Sequence, residues 1–134
     1  MASFKTHFRV TYSDTDQMRF MHHSNYFKYY ETARWELFRN IGIPYPELEE
    51  EGTILPVTDA SMKFIKPAFY DQEITINTTI KSFRGARIVF EYQARNETGE
   101  IINEALVTVA CVRKNSGKAC FPPKRLATIL KELL

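Results

Sequence analysis

The chain has 134 residues, 44% of them hydrophobic, which is long enough for one domain with a real core and too short for two. Eighteen Lys and Arg against sixteen Asp and Glu leave a net charge of +2, so there is no broad basic field for duplex nucleic acid, and no apolar run has the length to cross a bilayer. Two cysteines, Cys111 and Cys120, in a chain that needs no stapling and shows no apolar leader, predict reduced thiols and a cytoplasmic location.

Phe8, Val10 and Tyr12 alternate with Arg9 and Thr11, the period-two pattern of a half-buried strand, and deliver Asp14 and Asp16 at its end. Residues 12–26, Tyr-Ser-Asp-Thr-Asp-Gln-Met-Arg-Phe-Met-His-His-Ser-Asn-Tyr, then gather two carboxylates, two imidazoles and two phenols. Nowhere else does the chain concentrate ionisable chemistry. Ser24 is placed to cap a helix over residues 24–41, which Gly42 and Pro44 stop. Tyr26, Tyr30, Ala33, Leu37 and Ile41 share one face, and Phe27 and Phe38 widen it, so the pattern predicts a helix wrapped by sheet on most of its circumference. Tyr29 and Trp35 join Tyr26 and Tyr30 as core aromatics, and Glu31 with Arg34 reads as a surface pair.

Past a polar stretch at 47–52 the period becomes alternating. Strands are predicted at 55–65, 73–83, 86–95 and 101–113, separated by Lys66-Pro67-Ala68, Arg84-Gly85, residues 96–100 and Asn115-Ser116-Gly117. Because those connections are short, successive strands should pair antiparallel, with Cys111 in the core. Pro122-Pro123 opens a terminal helix carrying Leu126, Ile129, Leu130 and Leu133. Strand, long helix and meander make an α+β domain in which one antiparallel sheet curls around one helix.

Asp14, Thr15, Asp16, His23, Asn25 and Tyr26, followed by Tyr-Glu-Thr-Ala-Arg at 30–34, form a pattern that resembles the hotdog-fold acyl-CoA thioesterases of the 4-hydroxybenzoyl-CoA thioesterase type. The likeness continues through Phe64-Ile65-Lys66-Pro67-Ala68, Tyr70-Asp71 and Gly85-Ala86-Arg87. One departure is Arg19, where that family often carries glycine. A β-carbon there restricts positive φ and crowds close backbone approach, which bears on the loop geometry and the thioester entry. The resemblance implies a single hotdog domain over 1–134, an acyl-CoA substrate, and no metal or redox cofactor. It also implies side-by-side pairing into a continuous sheet, as a homo-oligomeric dimer or dimer of dimers (a homotetramer), with each pocket built jointly by neighbouring subunits. Such pairing would cover an open sheet edge.

By the same resemblance the backbone of His23 polarises the thioester carbonyl beside the helix N-terminus, and Asp16 is the base or the nucleophile. The His23 ring could orient Asp16 or move a proton, or simply pack beneath the loop; His22 is pocket lining or surface. Tyr12 could donate to the Asp16 carboxylate, and Asp14 is expected to bond loop amides and fix the turn. Asn25 could hold the loop and Tyr26 line the acyl pocket. Arg84, Arg87 and Lys118 are candidate contacts for the phosphates of CoA. Against these stand other readings. A metal site would use Asp14, Asp16, His22 and His23, but adjacent histidines on a short loop seldom converge on one ion. A serine or cysteine hydrolase lacks a Gly-x-Ser-x-Gly elbow, and a dehydratase would want a histidine inside the helix. A non-catalytic protein that binds acyl-CoA or acyl-carrier-protein thioesters is the remaining rival.

Overall fold

The opening alternation becomes β1 (Ser3–Arg9) in the computed structural model, which describes residues 2–134. Phe4 and Phe8 point inward, and the buried Val10 continues their row. There the strand ends. Residues Tyr12–Asp14 form one 3-10 turn, so Tyr12 is not the strand residue its spacing suggested and stands 77% exposed.

Helix α1 (Ser24–Asn40) starts and stops close to its predicted bounds, but Ser24 is its first residue rather than its cap. His23 occupies the cap position with no side-chain cap, and Ser24 Oγ meets His22 Nδ1 at 2.9 Å instead. The buried face carries Tyr26, Tyr30, Ala33, Arg34, Leu37 and Phe38, while Phe27 and Trp35 are exposed. The sheet thus covers one side of the helix and not most of its circumference. Arg34 also departs from the surface pair expected with Glu31. It lies one turn beyond Tyr30 on the inward face, where its Nη1 donates to the Tyr92 hydroxyl at 3.0 Å.

The polar stretch contains a short helix, α2 (Tyr45–Glu50), which the sequence pattern concealed because only one of its residues, Leu48, is fully buried. Pro44 caps it and Pro46 fits its first turn, where a missing N–H costs nothing. The strand expected at 55–65 is β3 (Val57–Phe64), which begins just after Pro56, and a separate short strand, β2 (Thr53–Ile54), precedes it. The meander of β4 (Glu73–Arg84), β5 (Arg87–Arg95) and β6 (Ile101–Ala110) follows the predicted strands closely. The strand expected to run on to 113 is interrupted at Cys111, whose N–H bonds to Ala86 O at 2.7 Å; β7 (Val112–Arg113) pairs with β2 in a separate ribbon. Helix α3 (Lys124–Leu133) buries Leu126, Ala127 and Leu130.

The main sheet has the order β1-β4-β5-β6-β3, with every neighbouring pair antiparallel. Consecutive pairing therefore holds within the meander and fails for β3 and β4. Residues 65–72 leave the β3 edge and cross to the far side, bonding as they go to the loop that precedes α1: Met21 N–H to Ala68 O at 2.7 Å and Asp71 N–H to Val10 O at 2.7 Å. Between α1 and the inner face lie Ile74, Ile76, Ile88, Phe90 and Tyr92, each almost wholly buried. On the outer edge, β3 has no further strand among the described residues, and Val57 and Phe64 are half exposed along it. Truncating the buried residue of α2, Leu48→Ala, should cost about 2–5 kcal/mol in urea unfolding; a change under about 0.5 kcal/mol would mean that α2 does not depend on this contact.

Candidate active site

The loop between β1 and α1 is organised around Asp14, only 4% exposed. Its Oδ2 accepts from the Tyr29 hydroxyl at 2.5 Å and the Thr11 N–H at 3.2 Å, and its Oδ1 accepts from Lys28 Nζ at 3.0 Å. The main-chain oxygen of the same residue accepts from the His22 N–H at 2.8 Å and from Asn25 Nδ2 at 2.9 Å. One residue thus binds the strand end, the far end of the loop and two turns of α1. Burial would raise the Asp14 carboxyl, but the bonds from Tyr29, Lys28 and Thr11 together outweigh it and hold the group below the ordinary carboxylate range. Tyr29, stacked on Phe8 with ring centroids 3.6 Å apart, has its hydroxyl pushed upward by burial and by that carboxylate.

Asp16 has the opposite environment. It is exposed, and its Oδ1 accepts the Met18 N–H at 2.8 Å, an Asx turn that leaves the second oxygen without a partner among the described residues. Arg19 N–H returns to Asp16 O at 2.9 Å and Asp16 N–H reaches Phe20 O at 3.2 Å, closing a tight loop. Arg19 sits at the crown with φ of 72°, so the chain keeps the left-handed conformation that glycine adopts freely. For a residue with a β-carbon this costs on the order of 1 kcal/mol.

A cleft of about 510 Å³ opens beside this loop. Asp16 and His23 both line it, with Tyr26, Met18, Phe20 and Phe64 supplying apolar wall. Phe64 stands edge-on to both His23 and Tyr26, with centroids 6.2 and 5.8 Å away. Tyr26 is 3% exposed, and burial pushes its hydroxyl up to about 12. At the start of α1, Ser24 N–H is taken by His22 Nδ1 at 3.3 Å, Asn25 N–H by His22 O and Tyr26 N–H by His23 O. The His23 N–H has no acceptor among the described residues. Two residues, His23 with an unpaired amide and Asp16 with a half-free carboxylate, therefore line one cleft beside a helix N-terminus.

The other sequence candidates are distributed differently. Asn25 spends its amide on the Asp14 carbonyl, and His22 turns its ring to Ser24. Tyr12 makes no hydrogen bond to Asp16 and packs edge-on against Tyr70 at 5.5 Å. Asp14, turned into the core toward Lys28 and Tyr29, does not converge with Asp16 and the two histidines on one point. Arg84 and Arg87 face each other at the exposed β4–β5 turn, and Lys118 is exposed in the turn after β7. Arg87 is in register with Ala110, whereas Tyr30 of α1 bonds Asn103. Those two positions are seven residues apart on β6, on the order of 23 Å, so Arg84 and Arg87 do not reach the cleft of their own chain, and Lys118, bonded through its carbonyl to Arg113 of β7, is not among its lining residues. The cleft wall includes Lys66 instead, which pairs with Glu100. The run Phe64-Ile65-Lys66-Pro67 stood out in the sequence, but only the crossing of residues 65–72 brings it against the Asp16 loop.

Residues 10–130 match the profile of the Thioesterase-like superfamily. The chain belongs to that superfamily. It is 32% identical over 129 residues to the acyl-CoA thioester hydrolase YbgC of Escherichia coli O157:H7, covering 96% of each chain. Among solved structures it superposes on a DHNA-CoA thioesterase from Staphylococcus aureus with a TM-score of 0.90 at 27% identity, covering 99% of this chain and 89% of that one. A protein from Thermus thermophilus gives a TM-score of 0.91 at 28% identity, over 97% and 98% of the two chains. The α+β architecture is thus the hotdog fold of thioesterases.

In this member the loop's stability should be acid-sensitive through Asp14. A carboxyl held below its unfolded value, about 3.9, contributes fully above that value and loses its contribution as pH falls through the folded one. Urea unfolding from pH 6 to pH 3 should show a steeper acid loss in the wild type than in Asp14→Asn, and parallel profiles would contradict it.

Proposed function

We propose that this protein hydrolyses acyl-CoA thioesters to the free acid and CoA. The observation that carries the reading is the cleft lined by both Asp16, with a free carboxylate oxygen, and His23, with an unpaired N–H at the start of α1. An acyl group would lie against Met18, Phe20, Phe64 and Tyr26, burying apolar surface. Its carbonyl oxygen would accept from the His23 amide, where the positive end of the helix stabilises charge as the carbon becomes tetrahedral. The free oxygen of Asp16 either takes a proton from water or attacks the carbonyl to form a mixed anhydride that water then opens. On both routes a C–O bond forms, the C–S bond breaks and the thiolate leaves to be protonated. The Asx turn supports this role, because an oxygen fixed by Met18 orients its partner without neutralising the charge. The His23 ring, exposed and edge-on to Phe64, is a candidate for moving the proton.

Asp16→Asn should lower kcat by about 10²–10⁴ with the fold intact, measured as thiol release from a panel of acyl-CoA esters. The rival reading, an acyl-binding protein without turnover, requires equal rates in the two proteins.

The assembly in this reading is a homo-oligomer, a dimer or a dimer of dimers, of one-domain chains acting in the cytoplasm with both cysteines reduced. The open β3 edge with its half-exposed Val57 and Phe64 supports side-by-side pairing, since an uncovered edge of this kind is an aggregation hazard. Pairing would also let Arg84, Arg87 and Lys118, none of which lines the cleft of its own chain, approach the phosphates of a substrate held by a neighbouring subunit. Activity per chain should then fall as dilution dissociates the assembly, followed in parallel by sedimentation; a fully active monomer would exclude joint pockets.

A further inference from the structure

A second, smaller pocket of about 220 Å³ lies on the other side of Asp16, lined by Tyr12, Thr15, Arg19 and Tyr70. The carboxylate is thus the wall between two cavities of unlike chemistry: the larger is mostly apolar, and this one offers a guanidinium, two phenols and a threonine. A thioester has the same division, with a hydrocarbon group on one side of the reacting carbon and, in CoA and carrier proteins, an amide-bearing pantetheine arm on the other. Three features distinguish the small pocket. Arg19 makes no ion pair and its guanidinium no hydrogen bond among the described residues. The hydroxyls of Tyr12 and Tyr70 likewise have no partner there, while their rings stand at 66° to each other and present apolar faces. The two non-glycine residues with left-handed backbone, Arg19 and Asp71, sit in its wall and immediately beside Tyr70. Strain of this kind persists where the surroundings impose it, and it clusters at ligand sites.

We infer that Arg19, with Tyr12 and Tyr70, forms the subsite for the thiol-side arm of the substrate, its guanidinium donating to the amide carbonyls of pantetheine. This rests on the thioesterase reading above. The phenol faces flank the methylenes between the two amides, and the arm then leads out past the exposed tyrosines to solvent. Arg19 thereby sets specificity for the leaving group, and its site takes CoA and carrier-protein thioesters alike because both present the same arm.

The test is a ladder of hexanoyl thioesters of CoA, pantetheine, N-acetylcysteamine and ethanethiol, given to the wild type and to Arg19→Gly, a change that relaxes the backbone at that position. The expected result is a loss of about tenfold in kcat/KM, carried by KM, for CoA and pantetheine esters, a smaller loss for N-acetylcysteamine with its single amide, and less than twofold for ethanethiol. An equal loss on all four would mean that Arg19 acts on Asp16 or on loop shape, and a loss confined to CoA would mean that it grips phosphate; either overturns the assignment. Calorimetric titration with the non-hydrolysable thioether S-hexyl-pantetheine separates this from the parent reading. Binding weakened about tenfold in Arg19→Gly supports the arm subsite even if no ester is hydrolysed, and unchanged binding overturns it even if hydrolysis is brisk.

Discussion

The buried Asp14 ties together three parts of the chain, the end of the first strand, the loop and the start of α1. Thr11 lies just past β1, Lys28 and Tyr29 belong to the first turns of α1, and His22 and Asn25 bond the main-chain oxygen of the same residue. A charged group this far from water is tolerated only when its lone pairs are met, and here every donor comes from an element that must be in place for the loop to exist. Removing any one donor therefore disturbs the others. The entry angle of α1, and with it the position of the His23 amide, follows from this arrangement.

Two aspartates separated by one residue end up with different capacities because of what surrounds each. Asp14 is buried with donors on both carboxylate oxygens and offers neither to a substrate. Asp16 gives one oxygen to Met18 N–H and keeps the other at a cleft wall. The same residue type thus serves as a fastener at one position and is available for chemistry at the next but one, a division set by burial and hydrogen bonding. The strained Arg19 belongs to the same economy of the loop: its backbone completes the turn that presents Asp16, and its side chain remains unpartnered beside it.

Much of this was legible in the residues. The meander of β4, β5 and β6 followed from alternation and short turns, and α1 from helical spacing with a glycine stop, because those signals are local. The β3–β6 and β1–β4 pairings were not legible, since they depend on where residues 65–72 cross, a matter of tertiary packing on the Asp16 loop. Arg34 misled for a related reason. Its spacing from Glu31 fits a surface pair, and only the position of Tyr92 on the facing strand draws it inward. Tyr12 misled because alternation carries no mark of where a strand ends; the turn is imposed by Asp14 taking the Thr11 amide. For Asp16 and His23 the sequence supplied adjacency to a helix start, and the cleft that joins them required Phe64 from β3.

Beneath the site, α1 meets the sheet through polar contacts as well as apolar ones. Tyr30 donates to Asn103 Oδ1 at 2.6 Å, Arg34 donates to Tyr92, and the Tyr30 and Tyr92 rings stack at 4.5 Å. Burial of apolar surface is non-directional and by itself specifies the rotation of a helix less sharply than directed bonds do. Hydrogen bonds have narrow distance and angle ranges, so two of them a turn apart on the same face fix both the rotation and the height of the helix. The guanidinium achieves this without a carboxylate, over the ring of Phe90 at 5.9 Å, with its Nε left unbonded among the described residues. Tyr26 lies one turn before Tyr30, and His23 three residues earlier still, so the cleft wall and the amide beside it inherit their positions from that fixed register. The polar core contacts therefore act on the chemistry at a distance: they set where the start of α1 stands relative to Asp16.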